Sequence, residues 1–364
     1  MTVREICNII EEFAPLAYQE DYDNSGLLVG LPDATVNGIL LSIDVTPDVI
    51  DDALKHGANL IVAHHPVIFG GIKRLIGKTY IERTIIKAIK NGIAIYCAHT
   101  NVDKIWNGVN MEIAKRLGLQ ELSMLSPAND QLVKLTTFVP HEQAQALRIA
   151  MFNAGAGQIG DYDQCSYNLE GKGTFRGSDN TNPFVGEQGV LHTEPETRIE
   201  VVVPKPILPQ VIHAMLNAHP YEEVAYDIYP LLNQNPRSGL GMVGNLQKPE
   251  NEMAFLKRVK QVFKAQCIRH TALTGKEIRR VAFCGGSGAD LLSQAISVQA
   301  DAFITADMKY HRFFDADGKI LILDIGHFES EQFTVEIFYG LLTKKLPNFA
   351  VLKSKVNTNP IHYL

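Results

Sequence analysis

Short apolar runs alternate with amphipathic stretches over the first third of the chain. The apolar runs GILLSID, NLIVAHH and IAIYCAH predict β-strands, and each is followed or preceded by a segment with helical periodicity. The helix predicted from TPDVIDDALKHG has an acid near its start, basic residues near its end and a terminal glycine. Because the predicted strands are almost continuously apolar, they indicate a sheet buried on both faces, which is typical of a largely parallel α/β layer.

The same pattern returns after about residue 278, but the middle of the chain differs. RRVAFC, DAFITAD and KILILDIG predict further strands, and a long final helix is expected after them. Between the two α/β parts, a repeat recurs at an offset of 64 residues, so that Val139-Pro140 aligns with Val203-Pro204 and Tyr162-Asp163 with Tyr226-Asp227. Two β-α-β copies predict a ferredoxin-like α+β domain. We therefore expect residues 1–126 and 236–364 to form one discontinuous α/β domain, with 127–235 inserted.

Composition narrows the class of protein. The chain has 364 residues, enough for two domains, and a formal net charge of −6 without a basic stripe, so nucleic-acid binding is disfavoured. Its five cysteines form no CxxC pair, which argues against a disulfide framework or a zinc knuckle. The first residues predict an acid-bearing amphipathic helix rather than a signal peptide, and no run reaches the ~20 apolar residues of a membrane span. We expect a cytoplasmic protein.

Candidate metal ligands follow three of the predicted strands. His64 and His65 end NLIVAHH, Asp103 follows IAIYCAH, and His327 with Glu331 follow KILILDIG. The carboxyl edge of an open α/β sheet is where ligands collect. A single His-His pair is commonly just a polar strand end, but three strands carrying such residues favour a metal site.

The ligand types indicate which metals and how many. His327 and Glu331 are four apart at a predicted helix start and share a face. Imidazole with carboxylate suits Zn, Mn, Fe, Co or Ni better than Mg or Ca. Five such groups exceed the needs of one zinc ion and suit two divalent cations that keep open positions, which is the catalytic rather than the structural pattern.

Other polar residues near these strand ends are candidates for holding the histidines in place or for acting as a general base. They are Asp44, His99, Asp307 and His311, of which Asp307 and His311 are the candidate catalytic residues, and each of the four can equally be an exposed loop residue. Two further segments have alternatives. Asp23-Asn24-Ser25-Gly26 is a substrate loop or an ordinary turn, with the turn favoured. The Gly-rich CGGSGADLL segment from Cys284 is an anion-binding turn or, the favoured alternative, a tight strand–helix connection.

Several segments of the chain resemble the NGG-one interacting factor three (Nif-three-like) family of dinuclear-metal proteins, often labelled GTP cyclohydrolase I type 2 homologues. The matching segments are DYDNSGLLVG, SIDVT, AHHP, HTNVD, GGSG, TADMKYH and GHFESE, and they span the whole discontinuous domain. The insertion resembles the PII/CutA-like domain of the longer bacterial members through IGDYDQCSY, GKGTFRG, NPFVG and HPYEEVAYD. One departure is that Ala306 and Tyr310 stand where many members have Gly and a second His.

The resemblance implies two divalent cations bound by the five ligands, with Glu331 as the bridge, and a toroidal homohexamer. It supports the metal site more than GTP cyclohydrolase activity, since no purine pocket or acid/base relay is recognisable. Two functions follow. The first is a metal-dependent hydrolase of a small phosphorylated or nucleotide-like substrate. The alternative is a non-catalytic metal-binding or regulatory hexamer whose inserted domain senses a ligand or partner.

Overall fold

The structure is a computed structural model that describes residues 1–129 and 131–364. In chain order its strands are β1 Gly26–Val29, β2 Ile39–Ser42, β3 Leu60–Ala63, β4 Ala94–Cys97, β5 Gln120–Ala128, β6 Leu132–Pro140, β7 Tyr167–Phe175, β8 His192–Pro204, β9 Tyr226–Pro230, β10 Asn235–Asn251, β11 Arg269–His270, β12 Glu277–Ser287, β13 Ala302–Ala306, β14 Leu321–Asp324 and β15 Val351–Lys353. Its α-helices are α1 Val3–Phe13, α2 Pro47–Lys55, α3 Tyr80–Lys90, α4 Thr100–Lys104, α5 Val109–Arg116, α6 Ala144–Asn153, α7 Leu208–Ala218, α8 Glu252–Val262, α9 Leu292–Ser297, α10 His327–Glu331 and α11 Thr334–Lys345.

The backbone divides into two compact units. The first joins Met1–Ser126 to Ser238–Leu364, and the second is Pro127–Arg237. The second unit is thus an insertion in the chain of the first, and each is described by itself below.

The first unit contains two sheets. One has the strand order β1-β4-β3-β2-β15, in which β4, β3, β2 and β15 run parallel and β1 is antiparallel at the edge. The other has the order β11-β14-β13-β12-β10-β5, with a parallel centre of β12, β13 and β14. This is the mixed α/β architecture expected from the apolar runs, with antiparallel strands added outside each parallel group.

Successive side chains of β2 and β3 pack into different cores, because neighbouring strand residues face opposite sides of a sheet. Leu41 and Leu60 belong to a large core that also includes Phe283 of β12, whereas Leu40 and Ile61 pack with helices α2 and α3. All four side chains are at most 1% exposed. Burial on both faces explains why these strands lack an alternating polar pattern.

The second unit is a four-stranded antiparallel sheet in the order β7-β8-β6-β9. Its elements follow the chain as β6-α6-β7-β8-α7-β9, which is the ferredoxin-like arrangement predicted from the repeat. The repeat is visible in the structure, since β6 and β8 end at Pro140 and Pro204 and the following helices begin at Ala144 and Leu208, each pair 64 residues apart. The helices pack on one face of the sheet around Leu135, Ile199 and Met151, among others.

One local prediction was wrong, because the long final helix is broken into α10 and α11 at Gln332-Phe333. The sequence also gives no prediction of β15, which follows α11. Asp103, expected on the segment after IAIYCAH, lies there within the short helix α4. Among the residues described, no helix is both long and apolar enough to cross a bilayer.

Candidate metal centre

The first two candidate ligands leave the sheet directly after β3. That strand ends at Ala63, and the backbone turns so that the N–H groups of both His64 and His65 donate to the Ile43 carbonyl, at 3.1 and 2.9 Å. The turn lets neighbouring residues, which would face opposite sides within a strand, serve one site. Their ring centroids are 4.8 Å apart.

In each of the three candidate histidine ligands, the Nδ1 atom lies within hydrogen-bond distance of an oxygen atom. His64 Nδ1 lies 2.9 Å from the Ala98 carbonyl, His65 Nδ1 lies 2.7 Å from Asp44 Oδ1, and His327 Nδ1 lies 2.6 Å from Asp307 Oδ2. A backbone carbonyl can only accept, so His64 carries its proton on Nδ1 and leaves Nε2 with a free lone pair. Such outer hydrogen bonds are how proteins orient metal-binding imidazoles.

The three Nε2 atoms converge on one carboxylate oxygen. Glu331 Oε2 is 2.9 Å from His65 Nε2, 3.1 Å from His327 Nε2 and 3.6 Å from His64 Nε2. The ligand atoms of His64, His65 and Glu331 all lie within 4.8 Å of one another, a grouping able to hold a metal ion. Glu331 comes from the end of α10 and is 3% exposed.

Asp103 completes the buried face of this cluster. Its Oδ1 atom is 3.7 Å from His64 Nε2, too far for a hydrogen bond. Both atoms are buried without a hydrogen-bond partner in the described structure. Buried polar atoms are normally satisfied, so two orphaned atoms that face each other across the cluster fit a cation that the donor set would bind.

Bound protons balance the negative charges of the carboxylates in this cluster. Burial opposes charging of His65 and His327, but their hydrogen bonds and charge interactions with Glu331 and with Asp44 or Asp307 raise their pKa values to about 9 and about 11. Burial would raise the pKa of Glu331, yet the charge of His327 and the hydrogen bond with it hold that pKa well below its usual range. Burial and then the charge of Glu331 raise the pKa of Asp103 to about 8. Divalent cations would replace these protons.

Side chains far apart in the sequence support the cluster. Asp44 Oδ2 accepts a hydrogen bond from the Thr358 hydroxyl at 2.5 Å, while its Oδ1 holds His65. Asp307 has a left-handed backbone at φ 55°, a strained conformation for a residue other than glycine, and its carboxylate accepts from His327. The structure thus places Asp44 and Asp307 where they orient two of the histidines.

The loop at Asp23 is more than an ordinary turn. Its carboxylate accepts hydrogen bonds from the Thr100 N–H at 3.0 Å and the Thr100 hydroxyl, and it lies 2.7 Å from His99 Nδ1. The ring centroid of His99 is 5.4 Å from that of His64 and 5.6 Å from that of His65. The turn favoured from the sequence missed this role, because nothing in the spacing of Asp23 and His99, 76 positions apart, marks them as partners.

His311 is placed differently from the other candidates. Its ring lies 5.2 Å from Tyr310 and 6.5 Å from Phe314, in an exposed group after β13. In the part of the chain that the structure describes, no hydrogen bond, ion pair or ring contact joins it to the candidate metal ligands. A catalytic role for His311 therefore stays a prediction.

The Gly-rich segment at the end of β12 packs against the candidate ligands instead of presenting free N–H groups. The N–H groups of Gly285, Gly286 and Gly288 donate to the side chains of Asn110, Ser330 and Thr305. A Cβ atom at Gly286 would lie 2.3 Å from Glu331 Oε1. The tight connection favoured from the sequence agrees with these contacts, and the glycine leaves room for the central carboxylate.

The fold and the cluster define a two-unit α/β protein with a buried histidine–carboxylate site able to hold metal. Residues 1–360 match the family model described as Duf34/NIF3 (NGG1p interacting factor 3), and the chain belongs to this family. It is 38% identical over 365 residues to a "GTP cyclohydrolase 1 type 2 homolog" of Halalkalibacterium halodurans, covering 99% of this chain and 98% of that one. A similarly named Bacillus subtilis protein is 35% identical over 370 residues, with the same shares covered.

A solved structure supports the same family assignment. The crystal structure of a Bacillus cereus protein related to NIF3 superimposes with a TM-score of 0.87 at 37% identity, covering 100% of this chain and 99% of that chain. The family resemblance expected from the sequence segments is confirmed.

Proposed function

We propose that this protein binds two divalent cations in one centre and uses them to hydrolyse a small phosphorylated or nucleotide-like substrate. The observation that carries the proposal is the convergence of three Nε2 atoms on Glu331 Oε2, next to the orphaned Asp103 Oδ1. His64 and Asp103 would hold one cation, His65 and His327 the other, and Glu331 would bridge them. This donor set suits Zn, Mn, Fe, Co or Ni.

Other residues of this chain would orient the histidines of such a centre or exchange protons with a substrate. Bound divalent cations supply an activated water and stabilise negative charge on a substrate oxygen. The Ala98 carbonyl, Asp44 and Asp307 hold the three imidazoles with Nε2 directed at Glu331. Asp307 is half exposed, with 49% of its side chain accessible, so it can also exchange a proton with a substrate. The His99 ring, held by Asp23, borders the cluster and is a second such group.

The proposal on substrate class rests on family membership. Relatives are named GTP cyclohydrolase 1 type 2 homologs, which makes GTP one compound to test. Metal-assisted hydrolysis of a phosphoester is the broader class, because two-metal centres stabilise both the attacking and the leaving oxygen.

A turnover assay tests the proposal. Metal-free protein is reloaded with Zn, Mn, Fe, Co or Ni in turn and incubated with phosphomonoesters, phosphodiesters and GTP. We expect hydrolysis of at least one class only with metal, and a loss of at least about 100-fold in kcat/KM in His64→Gln, because one ligand of the centre is removed. His56→Gln, which changes a surface histidine paired with Asp52, should keep full activity.

No turnover by protein carrying bound metal would overturn the hydrolase proposal and leave the metal centre standing. Equal turnover by His64→Gln and by the metal-reloaded unchanged protein would show that a contaminating enzyme carries out the hydrolysis. Circular dichroism of both variants checks that each is folded.

A second candidate function is a metal-binding regulator in which the inserted unit, proposed as PII/CutA-like, senses a ligand. The observation that favours it is a cavity of about 800 Å³ within the inserted unit. The assembly proposed for either function is the homohexamer that the family resemblance implies, and sedimentation equilibrium would measure it.

A further inference from the structure

The inserted unit contains a cavity on the face of its sheet that the helices leave free. The volume of about 800 Å³ lies within the range of small-molecule sites. Its floor includes Phe138 of β6, Glu196 and Arg198 of β8, and Gly171 and Gly173 of β7. The remaining walls come from the segments after β7 and after α7.

Glu196 is the buried charged group of this cavity. It is only 8% exposed, and its Oε1 atom accepts a hydrogen bond from the Tyr221 hydroxyl at 2.9 Å. Gly173 on the neighbouring strand β7 leaves room for this carboxylate, since a Cβ there would lie 2.1 Å from Glu196 Oε2. The Glu196 carboxylate therefore lies next to Gly173 of β7, and one of its oxygens accepts a hydrogen bond from Tyr221.

The other two carboxylates of β8 are paired with basic side chains, and Glu196 is not. Glu200, on the same face of β8, binds both Lys134 and Arg198 at 2.8 Å, and Glu194 binds His192 at 2.7 Å. Within the described residues no Lys, Arg or His side chain pairs with Glu196. Buried charges are normally paired because desolvation penalises an isolated one. A carboxylate buried without a cation indicates that the cation comes from outside the chain.

Aromatic rings line the space beside this carboxylate. The Tyr221 ring centroid is 6.0 Å from that of Phe175 and 6.4 Å from that of Phe184, and Phe138 lies on the floor. The negative faces of such rings attract ammonium and guanidinium groups. Three basic residues line the cavity. Lys172 and Arg176 are exposed, and the half-buried Arg198 is already paired with Glu200, so Glu196 and the aromatic rings form the buried part that is left for a cation.

From this geometry we infer that the inserted unit binds a small organic cation with N–H donors, an amine or a guanidine, whose charge pairs with Glu196 among Tyr221, Phe175 and Phe184. This site lies wholly within residues 127–237. It does not depend on the metal centre or on hydrolysis.

Isothermal titration calorimetry of the full chain tests the inference, with benzylamine and benzamidine as cationic probes and benzyl alcohol as the neutral one. We expect the cations to bind and the alcohol to bind at least about tenfold more weakly. Glu196→Gln should raise the Kd of benzylamine by at least about tenfold, or about 1.4 kcal/mol. Its amide oxygen still accepts from Tyr221, which favours a folded variant.

The matched control is Glu170→Gln, which removes the same charge from an exposed residue lining the same cavity. It should change the Kd by less than about threefold, because an exposed charge acts weakly through solvent. If Glu196→Gln does not fold, Phe184→Leu keeps the carboxylate and removes one ring face, and it should weaken benzylamine severalfold. Equal binding of the alcohol, an unchanged Kd in Glu196→Gln, or no heat with either cation up to millimolar concentration would overturn the inference.

Discussion

Glu331→Gln is expected to bind divalent metal at least about 100-fold more weakly than the unchanged protein. This loss exceeds the roughly 10- to 100-fold loss of affinity that follows when a residue that only supports a metal ligand is removed. The carboxylate oxygen at which three Nε2 atoms meet would become a neutral amide oxygen, with no negative charge to hold two cations. The variant should stay folded, because the amide still accepts hydrogen bonds and the histidines can release their extra protons. Metal content after dialysis against a weak chelator measures the effect.

Glu329→Gln is the matched control for this experiment. Glu329 lies two positions earlier on the same helix, is also buried at 6% exposure, and accepts a hydrogen bond from the Asn359 side chain instead of meeting the histidines. We expect it to retain its metal. If both variants lose metal equally, the effect comes from disturbing α10, and Glu331 is not a ligand.

Gly286→Ala is expected to weaken metal binding by about 10- to 100-fold, the range seen when a group supporting a metal ligand is removed. The added methyl would lie 2.3 Å from Glu331 Oε1, so the buried carboxylate has to move away from its histidines. The φ angle of +63° adds a backbone penalty of about 1–2 kcal/mol for a residue with a Cβ. A metal titration together with urea unfolding separates the two effects.

Gly118→Ala provides the control for backbone strain alone. Its φ of +61° is nearly the same, but no atom lies within 4 Å of the added Cβ. It should lose about the same 1–2 kcal/mol of stability and bind metal normally. Normal metal binding by Gly286→Ala would mean that the Glu331 carboxylate is free to move, contrary to the buried position seen here.

The sequence predicts the part of the site that follows from strand ends. His64 and His65 come directly after β3, and His327 and Glu331 lie one helical turn apart just after β14, so the apolar runs alone bring them to sheet edges. The same reasoning predicts the sheets, because their strands are apolar on both faces.

What the sequence could not predict depends on contacts between distant segments. The bond from Thr358 to Asp44 joins residues 314 positions apart, and β15 is only three residues long, too short for a recognisable pattern. The local sequence around Asp23 favours a turn, whereas its partners in the structure, His99 and Thr100, lie at the start of α4.

Anomalous diffraction from crystals of the unchanged protein loaded with zinc or manganese would test the dinuclear centre most directly. We expect two anomalous peaks in each chain, one beside His64 and Asp103 and the other beside His65 and His327, with Glu331 between them. A single peak at this cluster would contradict the dinuclear centre, and the absence of any peak there would contradict the metal site itself.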